Sequence, residues 1–128
     1  MNNVDIVKEA ELVIKKLSDN GQRNMLTRSQ IRKFLAAFTS VTNKVEVEKR
    51  RNPAKDEMSV QLSAEVKFLK VKLVYQAGRE RLVREFVEES NLLAKIDNVG
   101  KSFAKYKELA NYMEALVAYH KFNGGRDQ

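Results

Sequence analysis

Apolar residues recur at intervals of three and four along most of this sequence, and little interrupts them. One proline and five glycines occur in 128 residues. Strand-and-turn folds need more of both residue types, so the composition disfavours an all-β sandwich or barrel. The length suits one domain, since a domain usually spans ~100–200 residues. We therefore expect residues 1–128 to form a single all-α domain, a compact bundle of about five helices packed largely antiparallel.

Capping signals place the first two helices. The first is expected over Val4 to Leu17, with Gly21 as a left-handed cap after it. Thr27 with Gln30 three residues later fits a capping box and opens the second helix. The apolar pattern of that helix fades through residues 46–48.

The later helices are separated by weaker signals. The polar segment 49–55 is expected to be a connector, after which either Asn52 or Ser59 caps the third helix. Gly78 is expected to end the third helix. A fourth helix is expected to open at residues 79–81 and to extend to Ile96, and a break is expected at residues 97–100. The last runs from about Ser102 to Phe122 and stops at Asn123-Gly124-Gly125.

The third helix carries two apolar stripes at helical spacing. The first stripe consists of Leu62, Val66, Leu69 and Leu73, and the second stripe of Ala64, Phe68, Val71 and Tyr75. At 100° per residue the two stripes lie on nearly opposite sides. Such a helix is either central in its domain or shared with a partner chain. Tyr75 could stack a nucleobase, but its stripe favours core packing.

Charge supplies the first indication of function. Lys and Arg number 24 against 17 Asp and Glu, which gives a net charge of +7. That balance favours a polyanionic partner, either RNA, DNA or an acidic protein surface. No stretch approaches the ~18 consecutive apolar residues of a membrane span, so no membrane partner is expected.

The sequence offers little catalytic chemistry. It contains no cysteine, and its one histidine, His120, lies in the apolar stripe of the last helix, which favours a structural role over an RNA-contacting or catalytic one. No His, Asp and Glu spacing resembles a metal site, and no glycine-rich phosphate loop is present. We therefore expect no enzyme activity, no metal and no cofactor.

Two placements of basic residues suit phosphate groups. Arg79 is expected where the third and fourth helices join, and a helix N-terminus there would offer free backbone N–H groups to an anion. Arg28 and Arg32 lie four residues apart on one flank of the second helix, with Lys33 adjacent. Solubilising charges or salt bridges at helix ends would explain the same arginines without a ligand.

Three segments together resemble one known family. They are Leu26–Phe38 (LTRSQIRKFLAAF), Leu73–Glu80 (LVYQAGRE) and Tyr112–Gly125 (YMEALVAYHKFNGG). Their order and spacing resemble the small subunit of the type III-A CRISPR effector, the Csm complex, over about residues 26–128. The first twenty-odd residues and the segment 49–55 carry no motif that maps onto that family.

The resemblance implies a helical, non-catalytic, cytoplasmic subunit of an RNA-guided antiviral complex. In that family, copies of the small subunit align head to tail as a minor filament and help to retain target RNA. The implied partners are guide RNA and target RNA, other copies of this chain, and the backbone and large subunits. Cleavage of target RNA belongs to the backbone subunit, and cleavage of DNA to the large subunit.

The resemblance also implies which residues face RNA. Arg32, Gln76 and Arg79 match family motifs, and Lys70 lies where the family tends to have a basic residue. The expected RNA-binding residues are Arg32, Lys70, Gln76 and Arg79, followed by Arg28, Lys33 and Lys72. A guide-paired duplex is recognised through its backbone, which suits arginine and lysine on helix flanks.

Two departures from the family pattern are visible. Arg28 stands where threonine is expected, so its charge can be a local addition. Asn123 stands where an aromatic residue is common, which puts an aromatic contact there in doubt.

An alternative function is a protein scaffold that touches RNA only incidentally. Charge reversal at Arg32 and Arg79 separates the two, because only the RNA role predicts lost RNA retention with assembly intact. A small nuclease that depends on His120 is a third possible function.

Overall fold

The structure is a computed structural model that describes residues 3–19 and 25–123, with side chains from Ile6 onward. Within these residues the chain forms six α-helices and no β-strand. The helices are α1 (Asn3–Asp19), α2 (Arg28–Arg51), α3 (Val60–Arg79), α4 (Arg81–Ser90), α5 (Leu92–Val99) and α6 (Phe103–Phe122). The all-α prediction is confirmed, with one helix more than expected. The caps predicted at Gly21 and at Gly124-Gly125 lie outside the described residues.

The start of α2 follows the predicted capping box. The Gln30 backbone N–H donates to Thr27 Oγ1 at 3.1 Å, and Gln30 Oε1 accepts from the Thr27 N–H at 2.8 Å. The helix continues to Arg51, past the expected fade at residues 46–48. Val45 is the last buried residue of this helix, and beyond it Glu48 bonds to Ser59 and Lys49 lies 5.2 Å from the centre of the Phe103 ring. Contacts with other parts of the chain therefore accompany the helix after its sequence pattern weakens.

The connection between α2 and α3 resolves the choice between the two predicted caps. Asn52 ends α2, and Ser59 caps α3 by accepting the Leu62 backbone N–H at 3.2 Å. The Glu48 carboxylate accepts from the Ser59 backbone N–H at 2.6 Å and from the Ser59 hydroxyl at 2.8 Å. These bonds fix where α3 begins relative to α2.

The basic segment 49–55 is only partly a connector. Its first three residues belong to α2. Lys49 Nζ donates to the backbone carbonyls of Pro53 at 3.0 Å and Lys55 at 2.7 Å, and lies 5.2 Å from the centre of the Phe103 ring. Lys49 therefore stabilises the turn after α2 through these two bonds. Residues 53–57 of the connection are exposed.

The helix predicted to reach Ile96 is two helices, α4 and α5, and its interruption was not predicted. Asn91 separates them in the left-handed conformation, with φ 58° and ψ 31°. Asparagine tolerates that region better than most residues with a side chain. The bend allows Phe86 before it and Leu92 after it to be buried together. The break predicted at residues 97–100 begins later, because α5 continues to Val99 and Gly100 ends it with φ 55°.

One hydrophobic core joins side chains from all six helices of the described chain. The most extensive contact is between α1 and α6, while α3 packs on α2, α4 and α5. Buried polar groups in this core are paired: Tyr112 Oη donates to the Ser90 carbonyl at 2.9 Å, and Tyr106 Oη lies 2.7 Å from Thr42 Oγ1. Burial raises the pKa of Tyr106 to about 12, so its hydroxyl stays neutral.

None of the described helices has the length and apolar character needed to cross a bilayer.

Substitution of Asn91 tests the unexpected bend. Asn91→Ala should lower the free energy of unfolding by about 1 kcal/mol, because a left-handed conformation is costly for alanine. Asn91→Gly should leave it unchanged or raise it slightly, because glycine adopts this conformation freely. Urea unfolding of the three proteins measures the difference. Equal losses in both variants would show that the asparagine side chain, and not the backbone conformation, stabilises the bend.

Candidate nucleic-acid interface

The helices α2 and α3 lie side by side in opposite directions. Near the connection, Lys44 of α2 forms an ion pair with Glu65 of α3. At the far end, Lys33 Nζ lies 3.9 Å from Glu80 Oε2, just after α3. Lys33 and Glu80, which are 47 positions apart in sequence, are therefore neighbours at this end of the molecule.

Four of the seven predicted residues lie on this seam. Lys33 extends from α2, and Lys72, Gln76 and Arg79 share the flank of α3 that faces α2, since they are spaced by four and three residues. Lys33, Lys72 and Arg79 are exposed and Gln76 is half-buried. We call these four residues the α2–α3 patch.

Charge in the α2–α3 patch is largely uncompensated. Among the described residues no carboxylate forms an ion pair with Lys72 or Arg79. Glu65, which lines a groove with Lys72, is paired with Lys44. Glu80 Oε2 lies 3.9 Å from Lys33 Nζ. The other oxygen of the Glu80 carboxylate, Oε1, is buried without a hydrogen-bond partner in the described chain. Because Glu65 already pairs with Lys44, the three cations of the patch exceed the charge that Glu80 can neutralise.

Arg79 lies where α3 and α4 join, as expected, but it is the last residue of α3 and does not open α4. Gly78 does not end α3, which continues to Arg79, and Glu80 separates it from α4. Arg79 therefore lies in the last turn of α3, where the helix dipole stabilises a positive charge. It is not one of the residues that form the N-terminus of α4. Its guanidinium carbon lies 5.5 Å from the centre of the Tyr75 ring.

Arg28 and Arg32 form a separate basic flank on α2. Their helical positions place them on the side away from α3, since Lys33, Ala37 and Lys44 mark the side that faces it. Arg28 lies near enough to His120 to lower the pKa of that imidazole. The structure therefore does not bring these arginines into the α2–α3 patch.

Lys70 lies on a third surface. Its ammonium is 2.7 Å from Asp97 Oδ2 of α5, and the two side chains are 36% and 49% exposed. An exposed ion pair of this kind contributes about 0–1 kcal/mol, so it gives the lysine a partner without holding it firmly. The sequence pattern could not reveal this pair, because Asp97 is distant in the chain.

The second stripe of α3 is exposed, and the expectation that Tyr75 packs in the core is wrong. Phe68 is 54% exposed, Val71 53% and Tyr75 61%, whereas every residue of the first stripe is buried. Val60 and Val74 extend the same exposed surface. The helix is thus not central to its own domain, because no described part of the chain covers this face.

His120 has a structural role, as expected. The ring is buried at 2% exposure, and its Nε2 donates to the Leu26 backbone carbonyl at 2.7 Å. Burial lowers the pKa of His120, as does the nearby charge of Arg28, while the bond to Leu26 opposes the shift. The neutral ring ties the end of α6 to the residue before the Thr27 cap. Within the described residues no three His, Asp or Glu side chains are grouped as metal ligands would be.

The lowered pKa of His120 gives the stability of the protein a pH dependence. Because the unfolded chain binds a proton more readily than the folded one, the free energy of unfolding should fall as the pH drops below about 6.5. His120→Gln should reduce this fall, since glutamine can donate to the Leu26 carbonyl but does not titrate. Urea unfolding on both sides of that pH measures the slope. An identical slope in both proteins would contradict the assignment.

Comparison with known proteins shows close relatives over nearly the whole chain. A family model described as Csm2 Type III-A matches residues 2–126. A protein of Streptococcus thermophilus named CRISPR system Cms protein Csm2 is 36% identical over 126 residues, 98% of this chain and 94% of the relative. Proteins of the same name from Mycobacterium tuberculosis and Enterococcus italicus are each 35% identical, over 97% and 84% of this chain and 95% and 79% of the relatives.

Proposed function

This chain belongs to the Csm2 family of type III-A CRISPR systems, and from that premise we propose that it is a non-catalytic small subunit of the effector complex that holds RNA by its backbone. Guide RNA and target RNA are its nucleic-acid partners. Its protein partners are further copies of itself, aligned as a minor filament, and the backbone and large subunits. The complex acts in the cytoplasm and this subunit needs no cofactor.

The observation that carries the RNA role is the α2–α3 patch. Lys72 and Arg79 are seven residues apart on one helical flank, which separates them by about 10 Å along the axis at ~1.5 Å per residue. A nucleic-acid strand presents one charge about every 3.4 Å along its helix axis. The distance between the two cations along the helix axis is therefore about three times the spacing of phosphates along one strand, so both cations can bind phosphates of the same strand. Gln76 lies between them and can donate to a phosphate or a ribose.

The chemistry of this patch fits recognition without sequence preference. Lysine and arginine on phosphates fix the register of a strand and carry no base information. A guide RNA supplies the sequence by base pairing, so a subunit beside the duplex needs only such contacts. The absence of cysteine from the sequence and the burial of His120 support a subunit that binds and does not cleave.

A protein scaffold is the second candidate function, and the exposed second stripe of α3 favours it. Phe68, Val71 and Tyr75 expose more than half of their surface each, and exposed apolar surface of this kind often marks a protein contact. In this alternative the basic residues meet acidic protein faces, and RNA contact is incidental.

Binding of single-stranded RNA across a salt series tests the proposal. Each phosphate contact contributes about 0.7 to the slope of log affinity against log salt. The double variant Lys72→Glu/Arg79→Glu should therefore lower the slope by about 1.4 and weaken binding at low salt. Arg28→Glu/Arg32→Glu measures in the same way whether the separate flank of α2 also contacts RNA.

The control is Lys107→Glu, which reverses an exposed charge on α6 outside the basic surfaces. It changes the net charge by the same amount per residue, so it reports the effect of overall charge alone. A slope that is unaffected by Lys72→Glu/Arg79→Glu, or lowered equally per charge by Lys107→Glu, would contradict specific contact at the patch. Loss of assembly with full RNA affinity would instead support the scaffold.

A further inference from the structure

We propose that Tyr75 is a stacking platform for an unpaired nucleobase of the RNA whose backbone Lys72 and Arg79 hold. This inference rests on the proposed RNA role and adds to it a contact with a base. Tyr75 lies on α3 between the two cations, three residues after Lys72 and four before Arg79, so all three side chains are helical neighbours. The tyrosine exposes 61% of its surface.

The geometry around the ring suits a base. The Arg79 guanidinium carbon lies 5.5 Å from the centre of the Tyr75 ring, while most of the tyrosine surface remains accessible. Proteins that bind single strands without sequence preference combine a basic surface for the backbone with an aromatic ring for the base. Stacking is tolerant of sequence because every base has a π face, so it is compatible with guide-determined specificity.

The distribution of charge favours RNA over a second copy at this point. The charged neighbours of Tyr75 on its own helix are both cations, Lys72 and Arg79. The one acid of α3, Glu65, is ten residues away and already pairs with Lys44. Two copies packed against each other around Tyr75 would bring like charges together, whereas an anionic strand neutralises them.

Phe68 provides a matched comparison on the same face. It belongs to the same second stripe and is 54% exposed, but it lies two turns before Tyr75 and farther from Arg79. If the whole apolar face binds a protein, both rings should contribute to that contact. If Tyr75 stacks a base, only the ring between the two cations should affect RNA.

The experiment measures the affinity of the purified chain for a short oligouridylate and for an abasic strand of the same length. Tyr75→Leu keeps an apolar side chain but removes the ring, and should weaken binding of the oligouridylate by about tenfold. Tyr75→Phe keeps the ring and should retain the affinity. Phe68→Leu should have no effect. The abasic strand should bind equally to all four proteins.

The salt slope distinguishes failure of this inference from failure of the proposed function. Tyr75→Leu removes no charge, so its slope should equal that of the unmodified chain. If Lys72→Glu/Arg79→Glu lowers the slope but Tyr75→Leu binds oligouridylate normally, the stacking role is overturned and backbone binding stands. If neither change affects RNA while Tyr75→Leu and Phe68→Leu both reduce self-association in sedimentation, a second copy covers this face. The stacking role and the RNA role of the α2–α3 patch are then both overturned, and the scaffold alternative stands.

Discussion

Burial of the first stripe of α3 is the constraint on which the candidate interface depends. Its four apolar side chains are all at most 4% exposed, and they fix the rotation of the helix about its axis. Once that face is buried, the helical repeat leaves Lys72 and Arg79 on the flank beside α2 and Tyr75 farther outward. The position of each side chain on α3 that we propose to contact RNA therefore follows from hydrophobic packing on the other side of the helix.

Polar contacts at the ends of α2 hold this arrangement in register. At one end the buried His120 ring is bonded to the carbonyl that precedes the Thr27 cap. At the other, Glu48 is bonded to both the backbone N–H and the hydroxyl of Ser59, the first residue before α3. Hydrogen bonds of this kind are costly to leave unmade. The first fixes the start of α2 against α6, and the bonds of Glu48 fix the alignment of α2 against α3. The α2–α3 patch is assembled by that alignment.

The exposed face of α3 separates two uses of apolar residues in one helix. Its inner residues are buried in the core, whereas its outer apolar residues are exposed and no described part of the chain covers them. A cluster of exposed apolar side chains beside uncompensated cations suits a subunit that works inside a larger ribonucleoprotein assembly, where RNA and protein surfaces adjoin. Membership of the Csm2 family is consistent with that setting.

The sequence by itself determined the helical class, the Thr27 capping box, the break before α6 and the family, because these depend on local periodicity, on caps and on motifs. It could not determine the bend at Asn91, since the pattern on either side is equally helical and burial of Phe86 and Leu92 decides it. It also could not show that Tyr75 is exposed, because two apolar stripes look alike until neighbouring helices cover only one. Only the tertiary structure decided which cations share a surface, since Lys33 meets the end of α3 and Lys70 meets Asp97 through packing of segments distant in the chain.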